Sequence, residues 1–253
     1  MRDFDYVVPK SLDDAVARGK QAEHRFIAGG TLLVDLLRLD VERPAALVDL
    51  NAVLSERISW APDGLTAGAL ARNSDLADHP DVRRELPALS QALESGASPQ
   101  IRNLASLGGN LMQRTRCSYF RDPGVAECNK RTPGSGCAAL EGYSRMHAVL
   151  GGSRACIAVH PSDMCVALLA LDAVVRTRRS QGGREIAIAD FHALPGDTPQ
   201  LETALEPGEI VTEVFVPASG FSRRSAYVKV RDRAAFAFAL ASAAVALELA
   251  GEK

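Results

Sequence analysis

The distribution of cysteines is the strongest constraint on how this chain can fold. All five cysteines lie between Cys117 and Cys165, and the rest of the 253-residue chain has none. Residues 114–156 hold four of them, lack helical or strand periodicity, and are rich in proline and glycine. A structureless stretch of this length is uncommon in a compact domain unless it is functional or disordered. Thiols that bind a metal would organise such a loop.

The spacing of the cysteines leaves several interpretations open. Disulfides are disfavoured, because the N-terminus MRDFDYVVPKSLDD carries acids where a signal peptide needs an apolar run. No CxxC pair is present, although zinc sites usually contain one. Four thiolates from one loop would suit a 4Fe–4S cluster, but ferredoxin spacing is absent. A cluster, a zinc ion and a loop without metal therefore all remain possible. Cys165 lies on an apolar segment and is expected to be a core residue.

Basic residues crowd the same loop. They can form a solvated face, or they can offset the negative charge of a cluster held by four thiolates. Both interpretations stay open for this set: Arg114, Arg116, Arg121, Lys130 and Arg131.

Composition excludes some partners. The net charge of −2 gives no basic surface for nucleic acid or an anionic membrane. No apolar run reaches the length of a transmembrane helix. Without an export signal of its own the chain is expected in the cytoplasm, or in the periplasm if a partner that bears a signal carries it there.

Apolar periodicity predicts mixed α and β structure. The first half predicts a β-α-β-α-β unit with strands at 6–8, 26–28 and 46–50, a helix capped by Ser11 and a helix at 32–37. Asn73 can cap a further helix. Later segments predict helices at 87–94 and 163–171, a return to regular structure at 157–159, and strands at 65–70, 174–175, 186–188, 210–216, 227–230 and along the alanine-rich run 234–250.

Two glycine pairs are candidates for close approach of the backbone to a ligand. Ala28-Gly29-Gly30-Thr31 lies between a strand and a helix, where bare N–H groups can meet a phosphate. Gly108-Gly109-Asn110 could clasp a second phosphate of a dinucleotide. Each signal is weak alone, and neither GxGxxG nor a GxxxxGK[ST] loop is present.

A further polar motif, His160-Pro161-Ser162-Asp163, precedes an apolar helix. Ser162 or Asp163 as an N-cap is the simpler interpretation. Asp163 could instead accept a hydrogen bond from a ribose or a ring group. His160 is more often structural than a ligand.

The order of these motifs resembles one known family. FIAGGTLLVDLL, AGALARNSDL, SPQIRNLASLGGNL, HPSDM, PGEIVTEVFVP and YVKVRDRA follow one another as in the FAD subunits of xanthine dehydrogenase-like and carbon monoxide dehydrogenase-like enzymes. The resemblance implies an α+β, two-lobed FAD-binding domain of the molybdenum hydroxylase flavoprotein type. It implies a β-α-β lobe at 1–57, a larger lobe at 58–218, and an incomplete C-terminal domain at 219–253, so we expect a truncated chain.

The same resemblance assigns noncovalent FAD to the space between the lobes. Residues 26–31 and 108–110 would bind its diphosphate, and the other matching positions would line the rest of the cofactor. The implied cofactor-binding residues are Phe26, Ile27, Ala28, Gly29, Gly30, Thr31, Leu32, Asn73, Ser74, Gly108, Gly109, Asn110, Ser162, Asp163, Ile210, Val211 and Lys229.

The segment that joins GGNL to HPSD is long compared with most members of that family. It is similar to the insertion in the FAD subunit of bacterial aldehyde oxidoreductases of the periplasmic type, and a related insertion occurs in 4-hydroxybenzoyl-CoA reductase. The resemblance implies a 4Fe–4S cluster and leaves Cys165 outside it. Its ligands would be Cys117, Cys128, Cys137 and Cys156.

The implied function is electron transfer within a complex. A large partner subunit would carry the molybdenum cofactor, a small partner would carry 2Fe–2S clusters, and FAD would pass electrons to an external acceptor such as ferredoxin, oxygen or NAD. No residue of this chain is expected to act as a general acid or base. Two other classes remain as alternatives: a zinc-stabilised assembly module without flavin, and a free-standing flavin oxidase.

Overall fold

A computed structural model describes residues 1–249 and 251 of the chain as a mixed α+β fold. The strands are β1 (Asp5–Val7), β2 (His24–Ile27), β3 (Ala46–Asp49), β4 (Ile58–Ala61), β5 (Gly64–Gly68), β6 (Val174–Arg179), β7 (Gly182–Ala187), β8 (Ile210–Pro217), β9 (Ser225–Val230) and β10 (Ala241–Ala246). The helices are α1 (Leu12–Gly19), α2 (Leu33–Arg38), α3 (Asn73–Asp78), α4 (Pro80–Glu85), α5 (Pro87–Ser95), α6 (Pro99–Arg102), α7 (Leu107–Leu111), α8 (Ser118–Arg121), α9 (Asp163–Ala170) and α10 (Ile188–Phe191). Within the described residues, no helix is both long and apolar enough to cross a bilayer.

The N-terminal elements form a small parallel sheet in the order β1-β3-β2. The predicted β-α-β-α-β unit is present, and α1 begins at its predicted cap, where Ser11 Oγ accepts a hydrogen bond from the Asp14 N–H at 3.1 Å. Ala15 and Val16 of α1 are buried against Val48 of β3. Burial of a valine side chain contributes about 1.5–3 kcal/mol, so this apolar contact holds the helix on the sheet.

The larger sheet is antiparallel, in the order β4-β5-β8-β6-β7. Val214 of this sheet lies in a buried core together with Leu89 of α5 and Leu168 of α9. A separate hairpin pairs β9 with β10, and Tyr227 of β9 enters the same core. The division into segments 1–57, 58–218 and 219–253 stays a prediction.

Some predicted bounds differ from the structure. Asn73 is the first residue of α3, and its N-cap is Arg72. The strand predicted at 65–70 ends at Gly68, where the chain turns and the Ala71 N–H bonds to the Gly68 carbonyl at 2.9 Å. Regular structure does not resume at 157–159, because the Ile157 carbonyl accepts from Ala148 of the cysteine loop rather than from a strand.

Two further strand predictions are shortened. The segment 186–188 is divided between β7 and α10, since buried Ile188 bonds its N–H to the Ala173 carbonyl at 2.9 Å and begins the helix. Residue 250 of the predicted run 234–250 lies outside the described residues, and the described part, 234–249, contributes only β10. Phe236 has a φ of 56°, which extended backbone does not allow.

Residues 114–156, the cysteine loop, have little regular structure, as predicted; α8 is their one helix. Asn129 ties the loop together: its Oδ1 accepts from the Gly136 N–H at 2.9 Å, and its Nδ2 donates to the Ala155 carbonyl at 2.9 Å. The guanidinium of Arg131 holds residues 119–125 of the loop together. It donates to the backbone carbonyls of Tyr119, Phe120, Asp122 and Val125.

Candidate cofactor cleft and cysteine cavity

The first glycine pair packs against the segment that leads into the second pair. A Cβ on Gly29 would lie 2.1 Å from the carbonyl oxygen of Leu104, just before the segment that carries the second pair. Gly30 has a φ of +69°, which also favours glycine. A Cβ on Gly108 would lie 3.1 Å from the Cβ of Ala69. At Gly29 the two backbones are therefore in direct contact, and a side chain there would separate the segment of the first glycine pair from Leu104.

Two cavities meet beside Gly109. The first cavity, about 480 Å³, has mostly apolar walls, and the second, about 460 Å³, is more polar. Leu32 and Gly109 line both, so the two form neighbouring halves of one cleft. Of the predicted cofactor-binding residues, the first cavity is lined by Phe26, Ile27, Ala28, Leu32, Gly108, Gly109, Ile210 and Val211. The second is lined by Thr31, Leu32, Asn73, Gly109, Asn110, Asp163 and Lys229.

Four predicted residues do not line this cleft: Gly29, Gly30, Ser74 and Ser162. Gly29 and Gly30 lie in the turn between β2 and α2, outside the lining of the cleft. Ser162 is the N-cap of α9, accepting from the Cys165 N–H at 3.2 Å, and it donates to Asn110 Oδ1 at 2.7 Å. The capping interpretation of the His-Pro-Ser-Asp motif is therefore confirmed for Ser162. Ser74 donates to its neighbour Asp75 at 3.4 Å.

The second cavity contains a buried ion pair and an unsatisfied amide. Lys229 Nζ lies 2.8 Å from Asp163 Oδ2, and the two side chains are only 3% and 8% exposed. Tyr227 donates its hydroxyl to the other oxygen of Asp163; burial and that carboxylate raise the pKa of Tyr227. Asn73 Oδ1 is buried without a partner. A ligand that donates a hydrogen bond would remove that cost, which is about 1–3 kcal/mol.

A pair of histidines borders the first cavity. The rings of His160 and His192 lie 4.2 Å apart, and their Nε2 atoms lie 3.2 and 3.0 Å from the carbonyl oxygen of Leu111. Burial and the neighbouring His192 lower the pKa of His160 to about 4, so its ring is neutral near pH 7. This agrees with a structural role for His160. His192 was not predicted, since nothing in its local sequence marks it.

The four predicted cysteines line one small cavity of about 10 Å³. Cys128 and Cys137 face each other across an isolated antiparallel bridge. Burial raises the pKa of Cys117 and of Cys156. His147 Nε2 lies 3.1 Å from Cys117 Sγ. The loop therefore brings together thiols from positions far apart in the sequence.

The spacing of these sulfurs bears on which metal they could hold. Among the described residues, the one group of three His, Cys, Asp or Glu ligand atoms within 4.8 Å of one another is His160, Cys165 and His192. Zinc held by thiolates at about 2.3 Å in a tetrahedron would bring the sulfurs to about 4 Å from one another. The four loop cysteines are therefore spread more widely than a single ion requires.

The group around Cys165 is better explained by packing. Both histidines already donate to the Leu111 carbonyl, and burial raises the pKa of Cys165 to about 12. Cys165 packs against the main core, as predicted.

Most cations of the cysteine loop form ion pairs with acids elsewhere in the chain rather than a free solvated face. Arg114 pairs with Glu42 and Glu202, and Lys130, whose side chain is 11% exposed, pairs with Glu202 at 2.9 Å. Burial raises the pKa of Glu202, but Arg114 and Lys130 outweigh it and lower that pKa overall. Arg116 and Arg121 both pair with Asp35. Burial and the nearby Arg121 lower the pKa of Arg116.

A divided cleft between a small parallel sheet and a larger antiparallel sheet, whose halves join at Leu32 and Gly109, is the arrangement of a two-lobed flavoprotein. The chain belongs to the family described as the FAD binding domain in molybdopterin dehydrogenase, whose match covers residues 2–219. The predicted family and fold class are confirmed.

Relatives span most of the chain. The aldehyde oxidoreductase FAD-binding subunit PaoB of Escherichia coli (strain K12) is 54% identical over 98% of this chain and 78% of its own length. The nicotinate dehydrogenase FAD-subunit of Eubacterium barkeri is 26% identical over 98% of this chain and 70% of its own. The structure of reconstituted CO dehydrogenase from Oligotropha carboxidovorans matches with a TM-score of 0.70, 24% identity, and coverage of 99% of this chain and 71% of that one, which shows the shared fold.

Proposed function

We propose that this chain is the electron-transferring FAD subunit of a molybdenum-dependent aldehyde oxidoreductase. Electrons from 2Fe–2S clusters on a small partner would be collected at FAD and passed to an external acceptor. The observation that carries the proposal is the two-part cleft, whose halves join at Leu32 and Gly109, next to Thr31 of the first glycine motif and Asn110 of the second. PaoB is named an aldehyde oxidoreductase subunit, and other relatives are named as a FAD-subunit or a medium chain. Those names support a large molybdenum-containing partner and a small one.

FAD would occupy both cavities, with its diphosphate near Gly109 and Leu32, which line both. When bound, FAD accepts and releases electrons, and the protein orients it and sets its potential. Gly108 and Gly109 allow the backbone to approach the cofactor closely. Asn73 Oδ1 is free to accept a hydrogen bond from it. The other predicted cofactor-binding residues of the cleft would line it, with the buried Asp163–Lys229 pair fixing the floor of the second cavity.

Cys117, Cys128, Cys137 and Cys156 would hold a 4Fe–4S cluster. Four thiols that line one cavity are the donor set such a cluster requires, and their spread fits it better than a single zinc ion. Cys117 also lines a third cavity, of about 380 Å³, that shares Arg116 and Asp163 with the second cavity. The cluster would therefore lie on the cofactor side of the loop, where it could relay electrons.

The test is a visible absorption spectrum of the anaerobically purified complex, with iron and flavin quantified. We expect flavin bands over a broad cluster absorbance, with about four irons per chain beyond those of the partners. The matched pair Cys137→Ser and Cys165→Ser then assigns the iron, since only the first removes a thiol of the cavity.

The outcomes separate the alternatives. Flavin without that additional iron would leave the cluster proposal wrong and the FAD proposal standing. Zinc without flavin would indicate an assembly module. Oxidation of an organic substrate by the isolated chain would indicate a free-standing flavin oxidase. The acceptor is identified by comparing ferredoxin, oxygen and NAD as oxidants of the complex, and fractionation of cells locates it in the cytoplasm or periplasm.

A further inference from the structure

Two arginines of the cysteine loop share a single carboxylate. Arg116 Nη1 lies 3.7 Å from Asp35 Oδ2, and Arg121 donates to the same oxygen. One positive charge at this point is therefore left without a counterion from Asp35. The side chains of Arg116 and Arg121 are only 28% and 19% exposed.

Both guanidiniums also have a buried N–H without an acceptor. Arg116 Nε and Arg121 Nη1 make no hydrogen bond although they are inaccessible to solvent. An unpaired buried donor is costly, and more so on a charged group. Two such donors side by side, beside an excess positive charge, are what an anionic ligand with several oxygens would satisfy.

The position of Arg116 indicates which anion would bind to the two arginines. Arg116 lines the second cavity together with Thr31, Gly109 and Asn110, and its guanidinium lies 5.3 Å from the ring centre of Phe238. Arg121 lines the adjoining third cavity. An anion at this corner of the cleft would lie beside Thr31 and Gly109.

We infer that Arg116, supported by Arg121, binds the diphosphate of the FAD, so that the cysteine loop supplies part of the flavin site. The inference rests on the proposed function, because it takes FAD as the occupant of the cleft. It assigns to the loop a role in holding the flavin, besides any role in holding iron. Arg116 is adjacent to Cys117, so the same turn of chain would contact both cofactors.

The experiment measures ligand affinity in the assembled complex after removal of FAD. FAD, ADP and adenosine are titrated into the wild type and into Arg116→Gln. We expect FAD and ADP to bind about tenfold more weakly to the variant, because a charge-assisted contact is lost. Adenosine lacks phosphate, so its affinity should not change, and the iron content should equal that of the wild type.

Three further variants sharpen the test. Arg116→Lys should recover part of the affinity for ADP. Asp35→Asn removes the shared counterion and should tighten ADP binding, which a merely structural role for the ion pair does not predict. Arg154→Gln makes the same charge change at an exposed position of the loop and should leave every affinity unchanged.

Equal affinities for ADP in the wild type and Arg116→Gln would overturn the inference. So would an equal loss for ADP and adenosine, since that would show a general distortion of the cleft. Failure of the wild type to bind FAD would instead overturn the proposed function, and the ADP titrations would still decide whether the arginine pair binds diphosphate.

Discussion

The cofactor cleft and the cysteine loop are neighbours that are built in opposite ways. The cleft lies between regular elements, and glycines and apolar side chains on those elements form its walls. The loop has almost no regular structure and takes its shape from side chains such as Arg131 and Asn129 that bond to backbone. The cleft should therefore respond mainly to changes in backbone packing and in the buried Asp163–Lys229 ion pair. The loop should respond to the loss of single side chains.

The largest effect should come from a cysteine of the loop. Cys128 is 8% exposed and lines the four-cysteine cavity, so Cys128→Ser removes a buried thiol from the proposed cluster site. We expect the loss of the iron proposed for this chain, with most of the flavin retained because the walls of the cleft come mainly from elements outside the loop. Iron and flavin analysis of the purified complex measures both. Cys165→Ser is the control, and a parallel loss of flavin in Cys128→Ser would show that the two regions are not separable.

The next effect concerns the buried pair of the cleft. Asp163→Asn leaves the ammonium of Lys229 buried without its carboxylate, which costs about 3 kcal/mol or more. The free energy of unfolding, from denaturant titration, should fall by that amount while the iron content is unchanged. Asp190→Asn, at an exposed position, should have little effect. A stability equal to that of the wild type would show that the pair is not a structural part of the cleft.

A smaller loss is expected from Gly29→Ala. The added Cβ would lie 2.1 Å from the Leu104 carbonyl, so the two glycine segments must separate at a cost of about 1–3 kcal/mol. FAD should bind more weakly, as measured by titration of the flavin-free complex. Gly124→Ala, where the nearest atom is a flexible carboxylate oxygen at 3.1 Å, is the matched control in the loop. Unchanged FAD affinity in Gly29→Ala would exclude this contact from the flavin site.

The smallest effect should be a pH dependence that originates in the cleft. The pKa of His160 is lowered from 6.5 to about 4 by burial and by His192, whose own pKa burial also lowers. Between those values the unfolded chain binds a proton that folded His160 does not, so stability falls as the pH falls from about 6.5 towards 4. Denaturant titrations at about pH 6.5 and 5, above the range where most carboxylates titrate, should show this fall. His160→Asn should reduce it, and an unchanged slope would contradict the assignment.

The sequence predicted the cleft better than the details of its elements. Glycine pairs and apolar periodicity are local signals, and the N-terminal β-α-β-α-β unit follows from them. The pairing of His160 with His192, and of Asp163 with Lys229, depends on tertiary contacts that no local pattern encodes. The segment 157–159 has strand composition, but the Ile157 carbonyl accepts a hydrogen bond from Ala148 of the cysteine loop.

For the cysteine loop, too, the sequence predicted the location of the site but not the contacts that hold it. Lack of periodicity and clustering of thiols identified the loop and the four residues that line its cavity. The ion pairs that hold it could not be predicted, since Glu42, Glu202 and Asp35 are remote in sequence from the cations they meet. Charge composition indicates how many cations a loop carries, but only the fold determines which acids reach them.

The hydrogen bonds from Arg131 to backbone carbonyls bear on whether the folding of the loop depends on a metal. In a zinc finger, metal binding supplies the free energy of folding, and the finger unfolds when the metal is removed. Here one guanidinium bonds the arc between Cys117 and Cys128 by contacts that involve no thiol. These contacts do not depend on iron, so under the cluster proposal chelation should remove the iron and leave a folded chain.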